Sequence, residues 1–163
     1  MAVAVRAAKQ GDLPSIRSLL TSLELTVAGV GQHLEHFLVV EDAGKIVACA
    51  GLETYGFHAF LRSVAVRPQY RERGLATSLV TRLIDQARQE RLHAVYLLTT
   101  AAEAYFRRLG FETIPREAVD PSVKQSAEFG EGVCATASVR RLVRWSFPWR
   151  LSPSTGALSP SGT

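Results

Sequence analysis

The chain has 163 residues, 47% of them hydrophobic, and a formal net charge of +4. A chain of this length suits one domain, which buries roughly 70% of its unfolded surface without needing disulfides. No apolar run approaches the roughly 20 residues that span a bilayer, and the start has no basic region followed by an apolar stretch, so neither a membrane segment nor a signal peptide is expected. The charge excess lies entirely after residue 131, at Arg140, Arg141, Arg144 and Arg150, because acids and bases balance before it. A nucleic-acid-binding domain would carry its basic residues on the folded body, so no nucleic-acid partner is expected. Cys49 and Cys134 have no metal-ligand spacing, and His33 with His36 lacks a third ligand; no metal site is expected. Reduced thiols in a cytoplasmic protein fit this cysteine usage.

In chain order, Val3-Ala4-Val5-Arg6 alternates like a short strand. Asp12 before Leu13-Pro14 predicts an N-cap and a helix with Leu13, Ile16, Leu19, Leu20 and Leu23 on one face. Residues 26–32 read as a mobile loop or a broken second helix. Residues 37–41 and 46–52, joined by Asp42-Ala43-Gly44-Lys45, read as a hairpin. Residues 60–66 form the next strand and end before Pro68. Residues 77–88 form the clearest helix, with Leu79, Val80, Leu83, Ile84 and Ala87 at helical spacing. A strand follows over 94–98. Thr100 and Glu103 have capping-box spacing, predicting a helix to Leu109 that Gly110 stops. Residues 111–114 read as a strand, 119–129 as a short helix and 136–142 as a last strand. The whole is an α/β sandwich around a mixed sheet, one domain over residues 1–147. The tail over 148–163 is rich in Ser, Pro and Gly and reads as disordered. Trp145-Ser146-Phe147-Pro148-Trp149 reads as part of a loose tail rather than a membrane helix.

The most informative stretch is Arg71-Glu72-Arg73-Gly74-Leu75-Ala76, between a strand and an amphipathic helix. A pyrophosphate needs several N–H donors converging on one place, and a helix N-terminus supplies them with a favourable dipole. Gly74 and Ala76 let the backbone approach the phosphates closely, and Arg71 and Arg73 add charge. The three-glycine dinucleotide pattern and the Gly-Lys-Ser/Thr loop are both absent.

With its lead-in Ser63-Val64-Ala65-Val66-Arg67-Pro68, this turn resembles the Gln/Arg-x-x-Gly-x-Gly/Ala signature of the GNAT superfamily of N-acetyltransferases. Arg6-Ala7-Ala8 with Asp12 and Ile16, and Leu109-Gly110-Phe111, resemble that family's opening and the end of its fourth helix. The resemblance covers about residues 3–115. More narrowly, Gly51-Leu52-Glu53-Thr54-Tyr55-Gly56, Leu61-Arg62-Ser63, Leu97-Leu98-Thr99-Thr100 and Ser126-Ala127-Glu128-Phe129 resemble acetyltransferases of bacterial arsenic-resistance operons.

The resemblance implies a mostly antiparallel sheet of six to seven strands with a central splay, flanked by about four helices. It implies acetyl-CoA as co-substrate and a small-molecule amine as acceptor. Pantetheine would lie along Val64, Ala65 and Val66, the pyrophosphate on the N–H groups from Arg71 through Glu72, Arg73, Gly74, Leu75 and Ala76 to Thr77, and the acetyl carbonyl against the Val64 N–H. Glu53 is the first candidate for the base, through a pKa raised by partial burial, against a solvated strand-end carboxylate. His58 is the next candidate for the base, and His58 and Tyr55 are candidates on the substrate side. Many members place a Tyr where this chain has Phe106 and an Asn where it has Thr99, so the proton donor to the thiolate is open; Tyr105 is expected to point about 100° away. Regular alternation puts Arg62 on the face of Val64, where it could fork onto a substrate carboxylate or pair with Glu53. Beside the small-molecule enzyme stand a protein acetyltransferase and an acetyl-CoA-binding sensor without turnover. The C-terminal strand and tail could pair with a second subunit.

Overall fold

The computed structural model describes residues 3–99, 102–130 and 137–143. The strands are β1 (Val3–Ala7), β2 (Phe37–Asp42), β3 (Lys45–Tyr55), β4 (His58–Val66), β5 (Ala94–Thr99), β6 (Glu112–Ile114) and β7 (Ser138–Val143). The α-helices are α1 (Leu13–Ser22), α2 (Leu75–Gln89) and α3 (Glu103–Arg108). The sheet order is β1-β2-β3-β4-β5-β7-β6, and β4–β5 is its parallel pair. The cysteine at 134 and the Trp-containing tail lie outside the described residues.

Alternation along the strands sends one set of side chains to each face. Val40, Ala48, Leu52, Leu61 and Leu97 pack with Leu79, Val80, Leu83, Ile84 and Ala87 of α2 and with Phe106 of α3. Burying each of the larger of these side chains stabilises the fold by about 1.5–3 kcal/mol. Val39, Cys49 and Ala65 pack on the opposite face with Ile16, Leu19 and Leu20 of α1. Phe60, Tyr96, Ile114, Val119, Val123 and Val139 form a third apolar group.

Three local expectations are corrected. Asp12 does not cap α1 through its side chain. Its carboxylate accepts the Lys9 N–H at 2.7 Å, capping a 3₁₀ turn over Gln10–Asp12, and pairs with Arg6 at 2.7 Å. The segment 119–129 forms two 3₁₀ turns, Val123–Gln125 and Ala127–Phe129, instead of a helix. Of the two readings of 26–32, the broken helix is set aside for the loop, which leads into a 3₁₀ stretch, Gly31–His36. Thr100, the expected cap of α3, lies outside the described residues, and the helix begins at Glu103.

Two features of β4 set the geometry around its second half. Its parallel register with β5 runs only from His58↔Ala94 to Phe60↔Tyr96, while β5 stays paired with β7 through Thr99. Beyond Phe60 the two strands therefore diverge. In addition, β4 pairs with β3 at Gly51↔Arg62 and then at Cys49↔Ala65, so three steps on β4 match two on β3. The extra residue is a bulge, and Ser63 sits in it at φ 60°.

Candidate active site

The bulge reverses which face the later β4 side chains take. Leu61 packs on the α2 face, and so do Val64 and Val66. Arg62 points to the other face, where it meets Glu53 and the loop after α1. Arg62 and Val64 thus lie on opposite faces, contrary to regular alternation.

The divergence of β4 and β5 opens a cavity of about 530 Å³. Leu61 to Val64 line one side, Leu97 to Thr99 the other, and Ala76, Tyr105 and Phe106 the α2–α3 side. Glu24, Leu25 and Thr26 from the loop after α1, with Glu128 and Ala137, complete it. A second hollow of about 210 Å³ lies at the predicted phosphate turn, bounded by Val66, Tyr70, Arg71, Glu72, Gly74, Leu75, Ala76 and Thr77. Ala76 borders both, so the hollow at the turn and the cavity in the splay adjoin there.

The turn is built from its own residues. Gly74 adopts φ 79° and leads into α2, where the Ser78 N–H is already bonded to the Gly74 carbonyl at 3.0 Å. The N–H groups of Leu75, Ala76 and Thr77 are those that a helix leaves without partners at its start. The two arginines brace this loop: Arg71 Nε donates to the Val66 carbonyl at 3.1 Å, and Arg73 Nη2 to the Gln69 carbonyl at 3.1 Å. Arg73 also lies over the Tyr70 ring, 4.8 Å from its centroid.

Thr99 and Phe106 line the cavity, and Phe106 is otherwise buried in the core. Tyr105 lines it too, and its hydroxyl is 2.9 Å from Thr77 Oγ1. Helical spacing turns adjacent side chains apart, but a cavity that wraps the end of α3 is wide enough to meet both. The expectation that Tyr105 points away from the site is thereby corrected: it borders the cavity beside Phe106.

Glu53 is neither half-buried nor solvated: its side chain has no exposed surface. Oε2 accepts from Arg62 Nη1 at 2.7 Å and Oε1 from the Tyr55 hydroxyl at 2.5 Å. It lies behind Arg62 rather than among the residues lining the cavity. Burial, followed by the bond to Glu53, raises the Tyr55 hydroxyl well above the usual phenol range. Arg62 is itself heavily engaged, donating also to the carbonyls of Ala28 at 2.6 Å and Thr26 at 3.3 Å and, through Nε, to Ser63 Oγ at 2.9 Å. Between the fork and the ion pair left open by the sequence, the structure has the ion pair. Tyr55 and His58 do not line the cavity; His58 Nε2 lies 3.1 Å from Asp120 Oδ2 at the paired start of β4. Cys49 is buried against the Ser63 carbonyl, and burial pushes its thiol up to about 12, so it is no nucleophile. Among the described residues no group of three or more His, Cys, Asp or Glu could hold a metal, and no helix is long and apolar enough to cross a membrane.

Residues 10–111 match the acetyltransferase (GNAT) family, and the chain belongs to that family. Acetyl-CoA is the co-substrate of these acyltransferases. The chain is 27% identical over 151 residues to an amino-acid acetyltransferase of Neisseria meningitidis, covering 87% of this chain and 34% of the relative. It is 33% identical over 116 residues to an amino-acid acetyltransferase of Aliivibrio fischeri, covering 66% of this chain and 26% of the relative. The chain thus spans about a third or less of the length of the curated relatives it matches. The structure superposes on N-acetylglutamate synthase from Neisseria gonorrhoeae, complexed with coenzyme A and N-acetyl-glutamate, with a TM-score of 0.75 at 23% identity, covering 88% of this chain and 35% of that one. It superposes on Rv2747 from Mycobacterium tuberculosis, in complex with CoA and NLQ, with a TM-score of 0.72 at 27% identity, covering 86% and 98%.

Proposed function

We propose that this protein transfers the acetyl group of acetyl-CoA to the amine of an amino-acid-like small molecule in the cytoplasm, by direct attack on the thioester. The observation that carries this reading is the hollow at the Gly74 turn, which adjoins the cavity between β4 and β5 at Ala76. Amino-acid acetyltransferases among the relatives support the acceptor class.

In this reading the pyrophosphate rests on the N–H groups at the start of α2, and pantetheine runs along β4 beside Val64, Ala65 and Val66. Thr99 and Phe106 wall the thioester end. The Val64 N–H, next to the bulge, stabilises the oxyanion as the amine attacks. The C–S bond then breaks, the Tyr105 hydroxyl protonates the departing thiolate while Thr77 orients it, and the proton released by the attacking amine passes to solvent, from which the Tyr105 oxygen is reprotonated. Glu53, with Tyr55, fixes Arg62, and Arg62 fixes the acceptor side of the cavity by holding the loop that carries Leu25 and Thr26. An amine-bearing arsenical is the finer acceptor reading; it rests on the four stretches similar to the arsenic-resistance enzymes. A single domain over 1–147 completes the proposal; β7, paired on one side with β5 and on the other with β6, has no free edge for a second subunit.

Thiol release from acetyl-CoA tests it, with amino acids, arsinothricin, phosphinothricin and short peptides as acceptors. Turnover with one or more free amino-acid-like amines is expected. Turnover with peptides alone, or binding of acetyl-CoA without turnover on any acceptor, would overturn it.

A further inference from the structure

We infer that Glu128 is the residue that receives the acceptor's ammonium group, and that it sets a requirement for a cationic amine; this rests on the acetyltransferase reading above. Three charged side chains line the cavity among the described residues: Glu24, Arg62 and Glu128. Glu24 is exposed at the mouth. Arg62 directs its donors to Glu53, Ser63 and the carbonyls of Thr26 and Ala28, so little of it remains for an incoming carboxylate.

Two carboxylates sit against this guanidinium, and they differ. Glu53 has 0% side-chain exposure and lies behind it. Glu128 Oε2 is 3.3 Å from Arg62 Nε, its side chain keeps 11% exposure, and it lines the cavity. Of the pair, Glu128 is therefore the one an acceptor can touch. It is also held in place. Ser126 Oγ accepts the Glu128 N–H at 3.2 Å, and the Phe129 N–H bonds the Ser126 carbonyl at 3.0 Å. Phe129 packs on Phe60 with ring centroids 5.4 Å apart, and Arg116 lies over its other side, 5.7 Å from the ring. A short 3₁₀ turn anchored on β4 thus presents a carboxylate into the cavity that holds Val64, where the thioester is placed. An ammonium bound there gains a charge-assisted hydrogen bond in a partly desolvated site, and a neutral hydroxyl gains far less; the bound ammonium gives one proton to solvent before its lone pair attacks the thioester.

The test measures binding, on the CoA-loaded protein, of the 20 common L-amino acids and, for the tightest, of its α-hydroxy-acid analogue. The wild type should bind the amine at least about tenfold more tightly than the hydroxyl analogue, as one charge-assisted bond predicts. E128Q should bring that ratio close to one while leaving acetyl-CoA affinity unchanged. A merely structural role would weaken both analogues alike and keep the ratio. E128D, which keeps the charge one methylene back, should retain part of the preference and serves if E128Q does not fold. An unchanged ratio in both variants, no preference in the wild type, or no amino acid bound at all would overturn the inference. An amino acid that binds with the expected preference but is not acetylated would overturn the proposed function and leave the role of Glu128 standing.

Discussion

Replacing Arg62 by Met keeps the length of the side chain and removes the charge that Glu53 depends on. Glu53 has no exposed surface, so its carboxylate cannot turn to water for compensation. The carbonyls of Ala28 and Thr26 lose their donor at the same time. Removing one partner of a buried ion pair costs about 3–5 kcal/mol, out of the roughly 5–15 kcal/mol that holds a domain together. At this chain length each kcal/mol is about 2–4 °C in Tm, so R62M should melt about 6–20 °C below the wild type. Glu128 adds less, because part of it already meets solvent. Urea unfolding of R62M, E53L and the double variant closes the cycle. The double variant should recover a large part of the loss, because the two changes remove both charges together. An R62M protein within about 1 kcal/mol of the wild type, or a double variant whose loss equals the sum of the single losses, would refute the claim that the pair is buried and coupled.

Three further predictions concern the cofactor turn, the proton donor and the fold's edge. Gly74→Ala puts a Cβ at φ 79° with nothing within 4 Å of it, so its cost is conformational, about 1–2 kcal/mol. It should raise the KM for acetyl-CoA about tenfold if that cost is borne by the bound turn, with the acceptor KM unchanged. Tyr105→Phe keeps the ring and removes the hydroxyl beside Thr77; kcat should fall at least about tenfold with both KM values held, and an unchanged kcat would assign thiolate protonation to water. Asp12, held at a pKa of about 2 chiefly by its hydrogen bond to Arg6, contributes stability above its unfolded pKa near 4 and loses it as pH falls toward 2. Asp12→Asn should therefore cost about 1 kcal/mol at neutral pH, with the gap to wild type closing between about pH 4 and 2 in thermal melts.

Much of this molecule is visible in local pattern. The 3.6-residue spacing of Leu79, Val80, Leu83, Ile84 and Ala87 determines α2 and the face it buries, because a helix with that stripe has one way to hide it. Gly74 before that helix marks the turn, because the αL conformation there disfavours a Cβ. Alternation in β2 to β5 marks the sheet. What local pattern misses depends on contacts between distant segments. Ser63 in a left-handed conformation looks ordinary in sequence, yet the bulge it forms turns Arg62 away from Val64 and onto Glu53. That a Glu from the segment after β6 meets the same guanidinium requires the chain to fold back over β4, which no spacing encodes. Tyr105 lies next to the expected position and still reaches the cavity, because the first half of α3 borders it. The sequence by itself therefore determined the main strands and helices and the glycine turn before α2, which follow from the periodicity and backbone freedom of neighbouring residues. Tertiary structure alone decided which charged groups meet at the cavity, because one bulge, strand β3 and two separate loops converge on Arg62.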